Sequence, residues 1–330
     1  MQLTHCLSTG LVDTHKDDYE PHRNVYIGML YICLGLACIT LNLIMISAIT
    51  RHPLIQHGCF KLLTIVSVFD FLNLFLTTLV SGTLSLLNLN HCNSGLWVTT
   101  TGFILAICWN AYCSSVEILA LNRLLEFLNK PLCNILFRQN RSWIWSFVPV
   151  IYAVTLNWCG QAPFYYYDPY GGGWVFVATD GAPNYVMFIN NFFKFGYLLI
   201  MYPLALFFMY KRIASSPGRV NDLQKSVTLQ SISVSLITGA TTIIYVCIQY
   251  LPKSSTKYAP LIGHLLWIAS NGRTHRLDPK TKPSDLASTS VVYLTANRTV
   301  KRKLGRMFGM ADAIPRGTES TAVGITDGQW

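Results

Sequence analysis

Isolated ionisable residues inside long apolar stretches are the groups through which this 330-residue chain could do chemistry. Asp70, Glu117 and Lys194 each stand alone in such a stretch. A charge placed in hydrocarbon costs about 3 kcal/mol or more, so each of them should face protein and have a partner. The chemistry that this pattern predicts is ion pairing, hydrogen bonding and ligand binding.

Catalysis is not indicated by these residues. The chain has no His-Glu-x-x-His motif, no Gly-x-Gly-Asp sequence paired with a second intramembrane aspartate, and no serine–histidine dyad at a suitable depth. We therefore expect a protein that is not an enzyme and that holds no metal and no cofactor.

Asp70 has candidate partners at its own depth in the membrane. It lies about 14 Å beyond the basic residue Lys61, and Asn42 lies about 12 Å before the end of its own apolar stretch, at 1.5 Å per helical residue. The matching depths predict a polar cluster of Asp70, Asn42 and Asn271, with Ser270 beside it. The alternative is that Asp70 is a protonated, hydrogen-bonded acid with a packing role.

Lys194 lies well inside the outer end of its apolar stretch. It could pair with an acidic or carbonyl group of a ligand, or it could extend along its own stem to the membrane surface. Both interpretations stay open at this stage.

The outer halves of several stretches are rich in aromatic residues. An aromatic cavity suits a small, mostly apolar ligand, whereas an interfacial aromatic belt would have the same composition. The candidate ligand-binding residues are Trp109, Tyr112, Phe193, Lys194, His264 and Trp267. The segment 165–174 adds further tyrosines and a tryptophan beside three glycines.

The elements that must position these residues are membrane-spanning helices. Apolar residues make up 52% of the chain and charged residues 12%, roughly half the charge of a soluble domain. About 20 apolar residues are needed to cross a bilayer. Six segments meet this need, at about residues 25–50, 62–87, 97–122, 142–161, 186–210 and 227–251.

A seventh span is interrupted. Residues 259–272 and 289–296 are apolar, but the segment 273–288 between them is rich in charge and contains two prolines. Such a segment cannot lie in hydrocarbon as a helix. It is either a genuine loop after a short half-helix or a gene-model artefact, such as an intron read as coding sequence, whose removal would join the two apolar parts.

The distribution of Lys and Arg predicts the orientation of the bundle. Basic residues gather in the loops after spans one, three and five and in the C-terminal region, whereas the opposite side carries only Lys16, Arg23, Lys253 and Lys257. By the positive-inside rule the N-terminus is outside and the C-terminus inside, which requires an odd number of crossings. The net charge of +10 thus reflects topology, and we expect no nucleic-acid partner.

The predicted fold class is an all-α membrane protein, a seven-helix bundle whose seventh helix is interrupted. Residues 1–24 form an extracellular tail without the apolar core of a signal peptide, and residues 25–310 form the transmembrane domain. Residues 311–330 are expected to be a disordered cytoplasmic tail.

The end of span three carries a family resemblance. The run Leu-Ala-Leu-Asn-Arg at 119–123 is followed by Asn-Lys-Pro at 129–131 and by an aromatic entry to span four at 143–145. With the runs at 60–71 and 292–299, their order and spacing resemble the nematode serpentine receptor class T family, chemoreceptor candidates related to rhodopsin-like G-protein-coupled receptors.

This resemblance implies a receptor in the plasma membrane or a sensory cilium, with a small-molecule ligand and a heterotrimeric G protein as partners. Arg123 stands where rhodopsin-like receptors place the arginine that contacts the G protein, and Asn122 replaces the usual acidic neighbour, so the familiar local ion pair is expected to be missing. Asp70 resembles the aspartate that helps those receptors to bind sodium. The alternatives are a ligand-gated channel, a transporter or a receptor-like product that does not signal.

A disulfide bond at the outer side is a further implication. Cys92 precedes span three, where many such receptors tether the outer loop, but that loop contains no cysteine. Cys159 and Cys6 are the candidate partners, and we take Cys92–Cys159 as the hypothesis.

Overall fold

The chain is described here from a computed structural model that covers its helical core. It describes residues 21–52, 54–159, 163–169, 171–178, 184–215, 259–271, 273–274 and 287–288, with isolated positions between 232 and 247. Predicted span six, the apolar fragment 289–296 and the tail 311–330 fall wholly or largely outside these residues.

Six longer helices make up the described core, and we number them α1 to α6. They are α1 (Pro21–Ile49), α2 (Gly58–Leu86), α3 (Leu96–Leu128), α4 (Phe147–Cys159), α5 (Tyr185–Ser215) and α6 (Ala259–Asn271). Short helices at Leu54–Gln56, His91–Ser94, Lys130–Phe137 and Arg141–Ile144 lie between them.

Four of these helices contain segments that are long and apolar enough to cross a membrane. The segments are Asn24–Ile49, Gly58–Leu86, Leu96–Leu128 and Tyr185–Arg212. Their limits differ from the predicted ones mainly at inner ends, because helices continue past the hydrocarbon boundary that composition reveals. The end of α3, at Leu128 rather than residue 122, has a direct consequence for Arg123.

The central helix of the bundle is α3. It packs against α2, α4 and α5, and most of its side chains are buried from one end to the other. Small residues allow α1 and α2 to approach each other closely: a Cβ atom on Gly28 would lie 2.7 Å from the carbonyl oxygen of Gly82. Any larger side chain at Gly28 must therefore push the two helices apart.

A π-helical turn at Phe75–Val80 interrupts α2. Such turns disturb the regular hydrogen-bond ladder of a helix and often lie at functional sites. Here the carbonyl oxygen of Thr77, inside the turn, accepts a hydrogen bond from His264 of α6 at 2.7 Å. The turn thus connects α2 to α6.

A β-hairpin fills the outer end of the bundle. Its strands β1 (Pro163–Asp168) and β2 (Gly173–Ala178) are antiparallel. Because side chains alternate across a strand, every second residue points towards the helices, and the pairs opposite each other bury their rings. The inward residues are Tyr165, Tyr167, Trp174 and Phe176.

The hairpin is attached to α1 and α2 by hydrogen bonds. Trp174 Nε1 donates to Ser81 Oγ at 2.8 Å, and the hydroxyl groups of Tyr167 and Ser85 lie 2.6 Å apart. Tyr31 of α1 donates to the carbonyl oxygen of Gly172 in the turn. The interfacial belt expected as an alternative for this segment therefore does not apply to its inward-facing aromatics, which lie inside the bundle.

The charged insert begins and ends on a short ladder. Strand β3 (Arg273–Thr274) pairs antiparallel with β4 (Ala287–Ser288), so that Arg273 lies opposite Ser288. Helix α6 ends just before it, at Asn271. The limits predicted for the insert, 273 and 288, are thus neighbours in space.

Candidate functional site

Aromatic rings from three elements meet in the outer half of the bundle. The rings of Trp109 on α3 and Trp267 on α6 pack edge to face with centroids 5.0 Å apart. Phe176 of the hairpin lies 5.7 Å from Trp267, and Tyr112 stacks on Trp109 at 5.9 Å. The structure therefore brings together three of the predicted ligand-binding residues and adds Phe176.

Three small cavities lie along α3 beside this aromatic group, with volumes of about 10, 20 and 10 Å³. The largest is lined by Trp109, Met187, Asn191, Thr241, Thr242 and Trp267. It shares Met187 with the first cavity and Thr242 with the third. Each cavity therefore holds about one water in the ligand-free receptor, and a larger ligand must displace the surrounding side chains to bind.

Lys194 of α5 points into the bundle. Its side chain is buried, its Nζ lies 5.8 Å from the centroid of a Trp109 ring, and it donates to Asn110 Oδ1 at 3.3 Å. Asn190, one turn earlier, donates to the same oxygen at 3.1 Å. This placement disfavours the surface-directed alternative for Lys194.

His264 lies deep between α1, α2 and α6. Its ring is 4.7 Å from that of Tyr31 and 6.4 Å from that of Trp267. Its Nε2 donates to the Thr77 carbonyl, which connects α6 to α2. His264 therefore lies beside the aromatic group and holds two helices together.

Phe193 does not join the aromatic group. Its side chain is 63% exposed on the outer face of α5, and the neighbouring Phe192 is 44% exposed. Phe193 lies about 100° round the helix from the inward Lys194, and its exposure shows that it lies outside the inward face. We correct the expectation for Phe193: it faces the lipid side of α5.

Asp70 lies between two amide side chains at the middle of the bundle. Asn42 Nδ2 donates to Asp70 Oδ2 at 2.6 Å. With its amide oriented to satisfy both neighbours, Asn271 donates to Asp70 Oδ1 and accepts from Trp267 Nε1, each at 3.2 Å. Asp70, Asn42 and Asn271 are thus together as their depths suggested, and Trp267 links them to the aromatic cavity. Ser270 donates to the carbonyl oxygen of Trp267 at 2.8 Å.

Arg123 has an acidic partner that the sequence reasoning missed. Its Nη1 lies 2.7 Å from Glu126 Oε2, and its side chain is buried. Residues three apart meet on one face of a helix, so the pair forms because α3 continues to Leu128. The familiar pair with the preceding residue is absent, since that residue is Asn122, and Glu126 takes its place as the acidic partner of Arg123. The spacing would have revealed Glu126 if the predicted helix had not ended at 122.

Neighbouring elements hold this ion pair in place. Arg212 at the inner end of α5 donates to the backbone carbonyl of Glu126 at 2.9 Å. Asn122 Nδ2 contacts Cys133 Sγ at 3.6 Å on the short helix that follows α3. Burial raises the pKa of the Cys133 thiol to about 11, so this thiol stays protonated and uncharged at neutral pH.

Cys92 lies in the short helix His91–Ser94 that precedes α3, and it is disulfide-bonded. The side chain of Cys159 lies outside the described residues. The Cys92–Cys159 pairing therefore stays a prediction.

These features describe a helical bundle with an aromatic site at the end that carries the hairpin and a buried arginine near the opposite end of the central helix. The fold is similar to that in the crystal structure of squid rhodopsin. The superposition covers 91% of this chain and 90% of the rhodopsin chain, with a TM-score of 0.61 and 13% sequence identity. Similarity at so low an identity shows the fold alone.

The sequence itself supplies the family. The model of the serpentine type 7TM GPCR chemoreceptor family Srt matches residues 6–315, and the chain belongs to that family. No curated protein matches it. The chain is therefore an integral, multi-pass membrane protein and a receptor of the G-protein-coupled kind, a class that is typically not enzymatic.

Proposed function

We propose that this receptor binds a small molecule in the aromatic cavity of the outer half and activates a heterotrimeric G protein at its inner side. The observation that supports the proposal is that one helix, α3, contributes residues both to the aromatic cavity and to the buried ion pair. Trp109 borders the cavity, and Arg123 with its partner Glu126 lies fourteen residues, or about 21 Å, further along the same helix.

The Arg123–Glu126 pair supports an off state for signalling. While Glu126 holds the guanidinium, this group is not free to contact a partner. Arg212 ties the backbone of Glu126 to α5, so a movement of α5 relative to α3 would disturb the pair. A ligand that favours this movement shifts the receptor towards the state that exposes Arg123.

The orientation belongs to the same proposal. The N-terminus is outside and the C-terminus inside, as the loop charges predict. Arg123 then faces the cytoplasm and the hairpin faces the exterior. Epitopes fused to either terminus of the full chain, stained before and after permeabilisation, test this arrangement directly.

The signalling test is Glu126→Gln. Losing the ion pair should raise ligand-independent G-protein activation several-fold, since a charge-assisted contact contributes roughly 1.5–3 kcal/mol. A reporter of cyclic AMP or calcium in cells that express the full chain measures it. The matched control is Arg51→Gln, which removes an exposed charge from the inner side and should leave basal activity unchanged.

Arg123→Gln completes the series. It should abolish both basal and evoked responses at equal surface expression. The responses should also persist in medium without permeant ions, which separates a receptor from a channel. Basal activity in Glu126→Gln that equals wild type at equal expression would contradict the proposed off state.

A further inference from the structure

The ammonium group of Lys194 is buried with too few acceptors. It has three N–H donors, and its side chain is only 3% exposed. It donates to Asn110 Oδ1, an oxygen already shared with Asn190, and contacts the thiol of Cys113, a weak acceptor. Burying a cation is costly unless it is paired and fully hydrogen-bonded, so this position favours a further acceptor.

No carboxylate supplies that partner within the described part of the chain. Arg123–Glu126 is the one ion pair found there with N···O below 4.0 Å. Glu117, on α3 deeper in the membrane, interacts with Lys194 only at a longer distance. The positive charge of Lys194 is therefore left without a carboxylate in direct contact.

Two neighbouring cavities lie beside this charge. Lys194 lines the third cavity together with Cys113 and Thr242, and Thr242 also lines the cavity beside Trp109 and Trp267. A second buried polar group lines the cavity beside the two tryptophans: Asn191 Oδ1 has no hydrogen-bond partner among the described residues. The site thus combines a cation, an unused amide oxygen and two indole rings.

From this arrangement we infer that the ligand is a small carboxylic acid with an aromatic or branched apolar body. This inference rests on the proposed function. The carboxylate binds the Lys194 ammonium group, and the apolar body packs against Trp109 and Trp267. A hydroxyl or N–H group on the ligand would donate to Asn191 Oδ1.

The inferred acid also explains why an ammonium group is tolerated beside Trp109. The ring face attracts the cation but carries no hydrogen-bond acceptor for it. A carboxylate supplies acceptors and the opposite charge at once, and charge-assisted hydrogen bonds of this kind are among the strongest in proteins. A neutral ligand of the same shape would leave the Lys194 ammonium group without an opposite charge, as it is in the ligand-free receptor.

The experiment measures binding to the purified full-length receptor by ligand-induced thermal stabilisation. The probes are phenylacetate, 3-phenylpropionate, indole-3-acetate and isovalerate, each beside its primary amide and its alcohol. We expect at least one acid to bind, and its amide and alcohol to bind roughly 10- to 100-fold more weakly. No binding by any of the four acids, or equal binding of acid and amide, overturns the inference.

Two variants test the residue itself. Lys194→Met removes the charge at similar length and should weaken acid binding by the same factor while leaving amide binding unchanged. Asn110→Asp keeps Lys194 but gives it an internal carboxylate, so it should also weaken acid binding and should raise the stability of the ligand-free receptor. If Lys194→Met does not fold, Asn110→Asp still tests the inference. An unchanged affinity of the Asn110→Asp variant for the acids overturns it.

Phe193→Leu is the control, because this residue lies one position away on the outward face of α5 and should not alter binding. Failure of the two proposals is distinguishable. Acids that bind without any G-protein response contradict signalling but support the ligand class. Neutral probes that alone evoke a response support signalling and contradict the ligand class.

Discussion

Asp70 is the acceptor on which two amide groups from different helices depend. Asn42 on α1 and Asn271 on α6 both donate to its carboxyl group, and Asn271 also accepts from Trp267. A buried amide that loses its partner costs about 1–3 kcal/mol. The cluster therefore holds α1, α2 and α6 together, and through Asn271 it is hydrogen-bonded to Trp267 of the ligand site.

Replacing Asp70 by leucine should lower the stability of the receptor by about 1–3 kcal/mol, because the amide donors of Asn42 and Asn271 lose their acceptor. Asp70→Asn keeps one oxygen and should cost less than about 1 kcal/mol. Thermal unfolding of both purified variants against wild type gives the comparison. Equal stability of Asp70→Leu and wild type would show that the two amides find other partners.

At the scale of elements, the hairpin formed by β1 and β2 is packed tightly against α3. A Cβ atom on Gly102 would lie 2.8 Å from both the Trp174 ring and the Cβ atom of Tyr165. These neighbours are themselves buried and hydrogen-bonded, so they cannot move aside freely. Gly102 is therefore the point at which the hairpin meets the central helix.

Gly102→Ala should destabilise the receptor by about 1–3 kcal/mol, the usual cost of overpacking, and should displace the hairpin from the ligand site. Gly196→Ala on α5 is the control, since a Cβ atom there meets nothing within 4 Å. That change should be neutral or slightly stabilising, because alanine favours helix more than glycine does. The measurements are thermal unfolding and ligand affinity of the two variants. Equal losses of stability and affinity in Gly102→Ala and Gly196→Ala would contradict the tight contact.

The buried tyrosines of the hairpin predict a dependence on pH. Burial raises the pKa of Tyr165 and Tyr166 to about 12, against about 10 for a free phenol. Since the folded state favours the neutral phenols, their stabilisation is complete below about pH 10 and is lost as the pH rises towards 12. Tyrosinate absorbance during a pH titration should therefore rise together with the loss of hairpin structure; ionisation of these tyrosines below pH 10 in folded receptor would refute the prediction.

Some of these contacts could be read from the sequence, and others could not. Depth along a helix follows from its rise per residue, so the meeting of Asp70, Asn42 and Asn271 was accessible. The inward face of α5 was accessible as well, because the polar residues Asn190, Asn191 and Lys194 lie within about one turn of one another and all three are buried. In a membrane helix the polar residues mark the side that faces the bundle, so the apolar Phe193 could have been assigned to the lipid side.

The inner ends of the helices could not be predicted from hydropathy. Hydropathy marks where hydrocarbon ends, whereas α3 continues beyond it and brings Glu126 to Arg123. Similarly, the aromatic residues of the outer loop have the composition of an interfacial belt. Their burial against the helices depends on the register of β1 and β2, which only the folded hairpin defines.

At the scale of the whole molecule, the charged insert interrupts an otherwise regular receptor. Helix α6 has 13 residues, fewer than the roughly 20 needed to cross a bilayer. Beyond it, β3 and β4 bring the first and last residues of the insert together, with Arg273 opposite Ser288. The two ends of the segment are thus neighbours in space and close enough to be joined.

Removing residues 273–288 should therefore produce a receptor that reaches the cell surface several-fold more efficiently than the full chain. The deletion joins the apolar segments 259–272 and 289–296 and takes six charged side chains out of the path of the seventh span, each of which costs roughly 2.5–3.5 kcal/mol at the centre of a bilayer. Surface staining of an N-terminal epitope, with a C-terminal epitope accessible only after permeabilisation, measures both delivery and topology. A deletion of equal length in the tail, residues 315–330, is the control and should change neither.

Transcript sequencing across the insert gives the independent line of evidence. If residues 273–288 are an intron read as coding sequence, the mature transcript lacks them and encodes the continuous span that the deletion variant tests. If the transcript is continuous and the deletion abolishes surface delivery while the full chain places its C-terminus inside, the insert is a genuine loop. In that case its paired ends, β3 and β4, would be the device that lets α6 remain short while the chain still completes its seventh crossing.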